Sequence, residues 1–247
     1  MAKMNPEKSN KDAGVIIPSA GTGVRMGGGT PKQFLEINGM PLLAHTIRRI
    51  LKISCLRKVV IPSSPDLSER TRDIAHEGLE SSGLSGSVDI AVVAGGDERM
   101  DSVRNGLHAL KDDDITMILV HDAVRPCFPL DAVEQAIDEA RTSGAAIIAV
   151  PARDTVKMVD GNNVITSTPD RERVWLAQTP QVFRKELFVR AYDKLGDKAY
   201  LATDDASVVE QAGYPVRVVH GTHDNIKVTY RPDLQFAGIW LKANGEA

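Results

Sequence analysis

Short apolar runs alternate with amphipathic stretches along most of this chain. The first run, Val15-Ile16-Ile17, stops at Pro18 and gives way to a glycine-rich segment holding Gly21, Gly23, Gly27, Gly28 and Gly29. Pro41 is suited to the first position of a helix, and Leu42, Leu43, Ile47, Ile50 and Leu51 then share one face to about residue 53. Residues 58–61 (KVVI) predict a strand, and Pro65 opens a polar helical stretch to about residue 82. A third strand, 88–94 (VDIAVVA), runs into Gly95-Gly96. Val103, Leu107 and Leu110 carry helical spacing, and residues 117–120 (MILV) predict a fourth strand that ends at His121-Asp122. Asp131 is placed to cap a helix that turns Val133, Ala136, Ile137 and Ala140 inward. Gly144 ends that helix before a fifth strand at 145–150 (AAIIAV).

Nearly all-apolar strands separated by helices predict an α/β fold with a mostly parallel sheet covered on both faces. Right-handed crossovers make it Rossmann-like and doubly wound. Ligands in such sheets bind beyond the carboxyl ends of the strands. The glycine loop, Gly95-Gly96-Asp97 and His121-Asp122 each follow a strand directly, so they should line one rim. Between about 153 and 178 the pattern changes. Segments 155–159, 163–167 and 174–177 read as short β segments with polar turns and no helix between them. An exposed hairpin is poorly stable alone, so this β-arm is expected to pack on something, and a second subunit fits. The pattern then resumes with a helix at 185–195, a short helix at 204–212 capped by Thr203, strands at 216–219 and 226–229, and a closing helix opened by Pro232. The expected organisation is a polar, disordered lead-in at 1–12 and a single domain at 13–247.

Composition narrows the function. The 247 residues are 42% hydrophobic, enough for a sizeable core. A net charge of −3 gives no global attraction to nucleic acid or to an anionic membrane, so any phosphate site must be locally basic. The two cysteines, Cys55 and Cys127, form neither a disulfide framework nor a metal cluster, and are expected to be reduced thiols. No apolar run approaches the ~18 residues a membrane helix needs. The opening MAKMNPEKSNKD lacks the hydrophobic segment of a secretory signal. A cytoplasmic protein is the expectation.

The glycine loop sets backbone N–H groups at a strand's carboxyl end, where they can face phosphate oxygens, and Arg25 and Lys32 add charge. Its third glycine falls one place later than in the dinucleotide fingerprint, and no acidic residue follows about 20 positions on to hold a ribose. Thr30-Pro31-Lys32 puts proline where a P-loop helix would start. The loop suits a triphosphate attacked at its α-phosphorus, with Arg25 and Lys32 neutralising the oxygens that gain charge. In Gly95-Gly96-Asp97-Glu98-Arg99-x-x-Ser102 the glycines admit a flat base, and an acceptor there suits an exocyclic amine such as cytosine N4. A turn in which Asp97 or Asp101 caps the next helix explains the same residues. Asp122 can hold Mg²⁺ carried on phosphates, or form a structural ion pair with Arg125. His121 reads as a packed rim histidine rather than a catalyst, and no serine or cysteine nucleophile is evident.

The segments PSAGTGVRMGGGTPKQFL, GGDERMDSV, VHDAVRPC, ARDTVK, QTPQVF, TDDASVVEQAG and DNIKVT occur in this order from about residue 15 to 234. Together they closely resemble the 2-C-methyl-D-erythritol 4-phosphate cytidylyltransferase family of non-mevalonate isoprenoid biosynthesis. The resemblance implies a homodimer joined through the β-arm. It also implies a Mg²⁺-dependent reaction of CTP with methylerythritol phosphate, releasing pyrophosphate without a covalent enzyme intermediate. By motif position, Arg25 and Lys32 match the transition-state stabilisers, and Ala20, Gly21, Gly23 and Lys32 the triphosphate cradle. Gly96, Asp97 and Ser102 match the cytosine readers, while Asp122 and Arg125 fall at the ribose, metal and substrate edge. Thr155 and Arg171 on the arm match contacts made into the neighbouring subunit's site. Thr179, Thr203 and Lys227 complete the acceptor pocket, Lys227 with a catalytic role, and Asp224 stands as a second metal ligand beside Asp122. Without the resemblance, Arg171 reads as a solvated charge and Thr203 as a helix cap.

The sequence departs from the family at Ser19, where alanine is usual, and Gly27-Gly28-Gly29 makes its loop more flexible than most. The nearest alternative is a cytidylyltransferase for a pentitol phosphate such as ribitol 5-phosphate, which shares the Pro-Lys-Gln-Phe-Leu and His-Asp-x-x-Arg-Pro elements. Pro-Ser-Ala-Gly and Asp224-Asn225-Ile226-Lys227-Val228-Thr229 favour the methylerythritol enzyme. A catalytically silent nucleotide-binding scaffold is the alternative from another class, and it predicts CTP binding without turnover.

Overall fold

The computed structural model describes residues 11–21, 29–84, 86–111 and 114–246. The order of elements is β1 (Ala13–Ile16), a small hairpin of β2 (Glu36–Ile37) and β3 (Met40–Pro41), α1 (Leu42–Ile50), β4 (Leu56–Ser63), α2 (Ser68–Ser81) and β5 (Asp89–Ala94). Then follow α3 (Arg99–Ala109), β6 (Met117–Val120), α4 (Leu130–Ser143), β7 (Ala145–Pro151), β8 (Met158–Val159), β9 (Ile165–Ser167) and β10 (Trp175–Arg184). The described chain closes with α5 (Lys185–Leu195), α6 (Asp205–Gln211), β11 (Arg217–His220) and α7 (Arg231–Ala243).

Seven strands form one sheet in the order β11-β7-β10-β6-β1-β4-β5. Its pairings are parallel except those of β10, which runs antiparallel between β6 and β7. The period of two explains how the sheet holds two core layers. Val15 and Leu119 point into one layer, with Leu43 and Ile47 of α1 and Val133 and Ile137 of α4. Their neighbours Ile16 and Val120 point into the other, with Val103 and Leu107 of α3 and Phe188 of α5. Both faces are buried, which is why the strands read as apolar runs rather than alternating ones. Helix α3 lies close to the sheet because Gly106 has no side chain: a Cβ there would stand 2.6 Å from the Ile16 side chain. Gly144 ends α4 at φ 98°, a left-handed cap that a glycine adopts freely.

The fold class is as expected, but several local readings are corrected. Pro41 belongs to β3 and precedes α1, which starts at Leu42. Asp131 lies inside the first turn of α4, and Pro129 holds the cap position. Asp204, not Thr203, caps α6: its carboxylate accepts the Ser207 N–H. Residues 226–229 are irregular, tied at Val228, whose N–H donates to the Val124 carbonyl. The largest correction concerns β10, of which 174–177 covers only the beginning. Its continuation, Gln178-Thr179-Pro180-Gln181, is polar yet lies buried in the sheet. Each glutamine there has partners. Gln178 Nε2 donates to the Thr222 carbonyl at 2.8 Å. Gln181 Nε2 donates to Asp204 at 2.7 Å, and its Oε1 accepts the Ala206 N–H at 2.9 Å. Specific tertiary partners, which a local apolar pattern does not encode, make a polar central strand tolerable.

The arm is shorter in regular structure than expected, since β8 and β9 occupy only 158–159 and 165–167. The Asp160 side chain accepts from Asn162 N and Val164 N, and Asn163 takes φ 62°, closing the turn. Met158, Val159, Val164 and Ile165 are all more than half exposed on this hairpin.

Candidate functional site

A cleft of about 440 Å³ opens where β1, β5 and β6 end. Its walls contain the segments that the doubly wound pattern sends to one rim. The first wall is the turn after β1. Ser19 N donates to the Pro62 carbonyl at 2.8 Å, and Gln33 Nε2 reaches back to the carbonyls of Ser19 at 2.9 Å and Gly21 at 3.3 Å. This places Ala20 and Gly21 in the lining together with Lys32, whose Nζ lies 3.2 Å from the Thr229 carbonyl. The Ser19 hydroxyl is buried with no hydrogen-bond partner among the described residues. Gly23 and Arg25 lie outside the described residues.

The second wall follows β5. A Cβ at Gly95 would stand 2.5 Å from that of Ala20, so the two turns meet closely only with glycine there. A Cβ at Gly96 would meet that of Asp101 at 2.2 Å. Ser102 Oγ accepts the Gly96 N–H at 3.1 Å and fixes the turn. Glu98, paired with Asp101 in a capping box, caps α3. Asp97 is therefore not the cap, and its exposed side chain lines the cleft.

The third wall carries the electrostatics. The Asp122 carboxylate, 10% exposed, takes Lys227 Nζ and Arg125 Nε on Oδ2, both at 3.1 Å, and Arg99 Nη2 at 3.7 Å from Oδ1. Burial pushes this carboxyl up, but Lys227, Arg99 and Arg125 outweigh it and hold it well below the usual carboxylate range. Arg125 Nη1 also donates to the Asn225 carbonyl at 2.7 Å. Asn225 Nδ2 donates to Gln178 Oε1 and to the Thr179 carbonyl, pinning the segment that carries Lys227. Thr179 sits behind the site rather than in its lining. Its hydroxyl accepts the Asp122 N–H at 3.1 Å and donates to His121 Nδ1 at 2.9 Å, while His121 Nε2–H donates to the Arg125 carbonyl at 3.0 Å. His121 is fully buried against the Phe128 ring, and burial pushes its pKa down to about 4. The neutral ring is a structural hydrogen-bonder, the packed rim histidine that the sequence predicts.

The cleft thus gathers Ala20, Gly21, Lys32, Gly96, Asp97, Ser102, Asp122 and Lys227, with Arg125 bonded beside them. Thr155, Arg171, Thr203 and Asp224 are exposed and outside its lining. Arg171 donates to the Arg153 carbonyl at 3.0 Å within the arm. Cys127 is buried and its thiol is pushed up to about 12 by burial, so it is no nucleophile. Sequence reasoning assigned no role to Gln33, Asn225, Arg99 and Asp205, although all four stand inside the quoted motifs. A larger hollow of about 1050 Å³ lies by Thr116, Met117 and Arg184, where β6 begins and β10 ends. It contains none of the predicted site residues, and the carboxyl-end rule for parallel sheets favours the smaller cleft.

No group of three or more His, Cys, Asp or Glu side chains among the described residues forms a metal cage. The donor set fits a hard cation that arrives on phosphates and keeps most of its water, with Asp122 as its protein ligand. Asp224 is exposed and not part of the cleft lining.

His121 and His45 are both buried and neutral in the folded chain, and burial lowers the pKa of each. In the unfolded chain they protonate below about pH 6.5. Their contribution is therefore fully present above that pH and is lost as pH falls from about 6.5 toward the folded values. Denaturant titrations at pH 7 and pH 5 are expected to show lower stability at pH 5, by on the order of 2 kcal/mol from His121, with His45 acting in the same direction. A His121→Gln variant is expected to shrink the difference.

A sequence profile of the 2-C-methyl-D-erythritol 4-phosphate cytidylyltransferase family matches residues 13–243. The chain is 43% identical over 229 residues to the enzyme of that name from Syntrophus aciditrophicus, covering 92% of this chain and 94% of that one. It is 40% identical over 227 residues to the one from Desulforamulus reducens, with the same coverage. Among solved structures, the 4-diphosphocytidyl-2C-methyl-D-erythritol synthase of Anaerococcus prevotii superposes with a TM-score of 0.78 at 31% identity, covering 94% of this chain and 99% of that one. The Francisella tularensis 2-C-methyl-D-erythritol 4-phosphate cytidylyltransferase does so with 0.76 at 30% identity, covering 93% and 100%. With its doubly wound sheet and cation-lined cleft, this chain belongs to the 2-C-methyl-D-erythritol 4-phosphate cytidylyltransferase family.

Proposed function

We propose that the cleft transfers the cytidylyl group of CTP to 2-C-methyl-D-erythritol 4-phosphate, giving 4-diphosphocytidyl-2-C-methyl-D-erythritol and pyrophosphate. The observation that carries this reading is the convergence of Lys227, Arg125 and Arg99 on Asp122 beside Lys32 and the Gly21 turn. A phosphate oxygen of the acceptor attacks the α-phosphorus in line, and the bond to pyrophosphate breaks. The reaction needs neither a protein nucleophile nor a titrating base, because the attacking oxygen is already ionised. It needs two anions brought together and charge neutralised on the equatorial and leaving oxygens.

Lys32 and the Gly21 backbone take the triphosphate, joined by Arg25, Gly23 and Ala20. Gly96, Asp97 and Ser102 form the base end: glycine lets the ring approach, and Asp97 accepts from the cytosine amine. Lys227 and Arg125 face the acceptor phosphate, oriented by Asp122. Mg²⁺ held by Asp122 supplies further neutralisation of the phosphate oxygens when bound. Thr179 serves the acceptor pocket through Asp122, whose N–H it receives. The arm completes the site in a homodimer. Its exposed apolar side chains suit a second copy of the chain, and Arg171, Thr155 and Thr203 meet the acceptor at that junction. Asp122 alone suffices as the protein's metal ligand in this reading.

Pyrophosphate release from CTP, measured with methylerythritol phosphate and separately with ribitol 5-phosphate, tests the reaction. Turnover with the first is expected; turnover only with the second, or CTP binding without turnover, contradicts the assignment. For the composite site, Arg171→Ala and Lys32→Ala subunits are mixed and allowed to exchange. Each is expected to be nearly inactive alone. The mixture is expected to recover roughly a quarter of wild-type activity, since about half the symmetric dimers become mixed and each keeps one intact site. No recovery on confirmed exchange contradicts a contribution across subunits.

A further inference from the structure

Arg99 lines the cleft but has no role in the reading above beyond its charge. It is the first residue of α3, directly after the Gly96-Asp97 turn. Its Nη2 lies 2.8 Å from Asp205 Oδ2 and 3.7 Å from Asp122 Oδ1. Asp205 opens α6 and is fully buried. Its other oxygen accepts the Tyr192 hydroxyl at 3.2 Å. Arg99 Nη1 is itself buried with no hydrogen-bond partner among the described residues. One guanidinium therefore spans two carboxylates from different parts of the chain, one in the cleft and one in the core. A purely structural ion pair has no need of the second carboxylate, and a pair whose carboxylate is fully buried contributes little net stability compared with apolar side chains of similar size.

We propose that Arg99 is a positioning residue of the transfer reaction, tethered by buried Asp205 so that it holds the Asp122 carboxylate in line with Lys227 and Arg125. Asp122 Oδ2 carries Lys227 and Arg125, and Arg99 engages Oδ1, so the carboxylate has cations on both oxygens. Two of its three partners extend from loops. Arg99 is anchored at its far end by a fully buried carboxylate, on a residue that opens a helix of the core layer. The tether also joins the base-side turn before α3 to the segment 203–205 before α6, so the nucleotide and acceptor ends of the cleft share one fixed point. One nitrogen, Nη2, faces both carboxylates, and the shorter side chain of lysine carries its ammonium less far from the backbone.

The inference rests on the cytidylyltransferase reading, and the wild-type enzyme keeps the two apart. If wild type releases no pyrophosphate with methylerythritol phosphate, that reading fails. If wild type turns over and the variants match it, only the role of Arg99 fails. The first variant is the double replacement Arg99→Met with Asp205→Leu, which removes both charges of the pair together. Its thermal midpoint is expected to stay near that of wild type. Its kcat is expected to fall roughly 10- to 100-fold, the scale of a misplaced reacting group, with KM for CTP within about threefold. The second variant is Arg99→Lys, which keeps a counter-charge for Asp205 and hence the fold. It is expected to lose roughly tenfold in kcat. A stable double variant with kcat within twofold of wild type, or an Arg99→Lys enzyme with undiminished kcat, overturns the proposal. So does a loss confined to KM for CTP.

Discussion

The site depends on one carboxylate kept charged at the end of an apolar strand. Asp122 follows β6, whose four residues are all buried, and leaving a lone carboxylate there would cost several kcal/mol. Lys227, Arg125 and Arg99 remove that cost and are themselves held by it. The cations come from α3, from the turn after β6 and from the segment before α7. Without the anion they would repel one another and spread into solvent. With it, a cluster of positive charge persists in a chain whose net charge is −3. That is the electrostatic preorganisation a reaction between two polyanions needs.

The backbone around Asp122 is determined as firmly as its side chain. Thr179 and His121 form a closed relay beneath it, from the Asp122 N–H to the Arg125 carbonyl. The relay exists because β10 inserts antiparallel beside β6, bringing Thr179 against the end of that strand. Asn225 links the same strand to the segment bearing Lys227. The buried polar residues of β10 are therefore the support of the site. Its substitution by a more ordinary apolar strand would keep the sheet and loosen the cations.

Much of this is legible in the sequence, and the reason differs by feature. The parallel strands are readable because burial on both faces makes them apolar runs, and their ends locate the rim. Gly96, Asp97, Ser102, Asp122 and Lys32 then fall in the cleft by position alone. β10 is not readable in that way, because Gln178, Thr179 and Gln181 are satisfied by partners up to 58 residues distant in sequence. The cap of α6 shows the same limit at short range: Thr203 and Asp204 are both good caps, and only the geometry selects Asp204. Arg99 and Asp205 stand in singled-out motifs, but a salt bridge between residues so far apart in the chain has no local signature. The family resemblance implies Thr155 and Arg171 as site residues; within one chain they are exposed on the arm and outside the cleft lining.

The claim that one carboxylate organises the cations is tested most directly by replacing it. Single-turnover transfer from CTP to methylerythritol phosphate is measured for wild type and for Asp122→Asn, which keeps size and a hydrogen-bond acceptor while removing the charge. With folding verified by an unchanged far-ultraviolet circular dichroism spectrum, the account predicts a rate lower by roughly 100-fold or more. A transfer rate within threefold of wild type would contradict it.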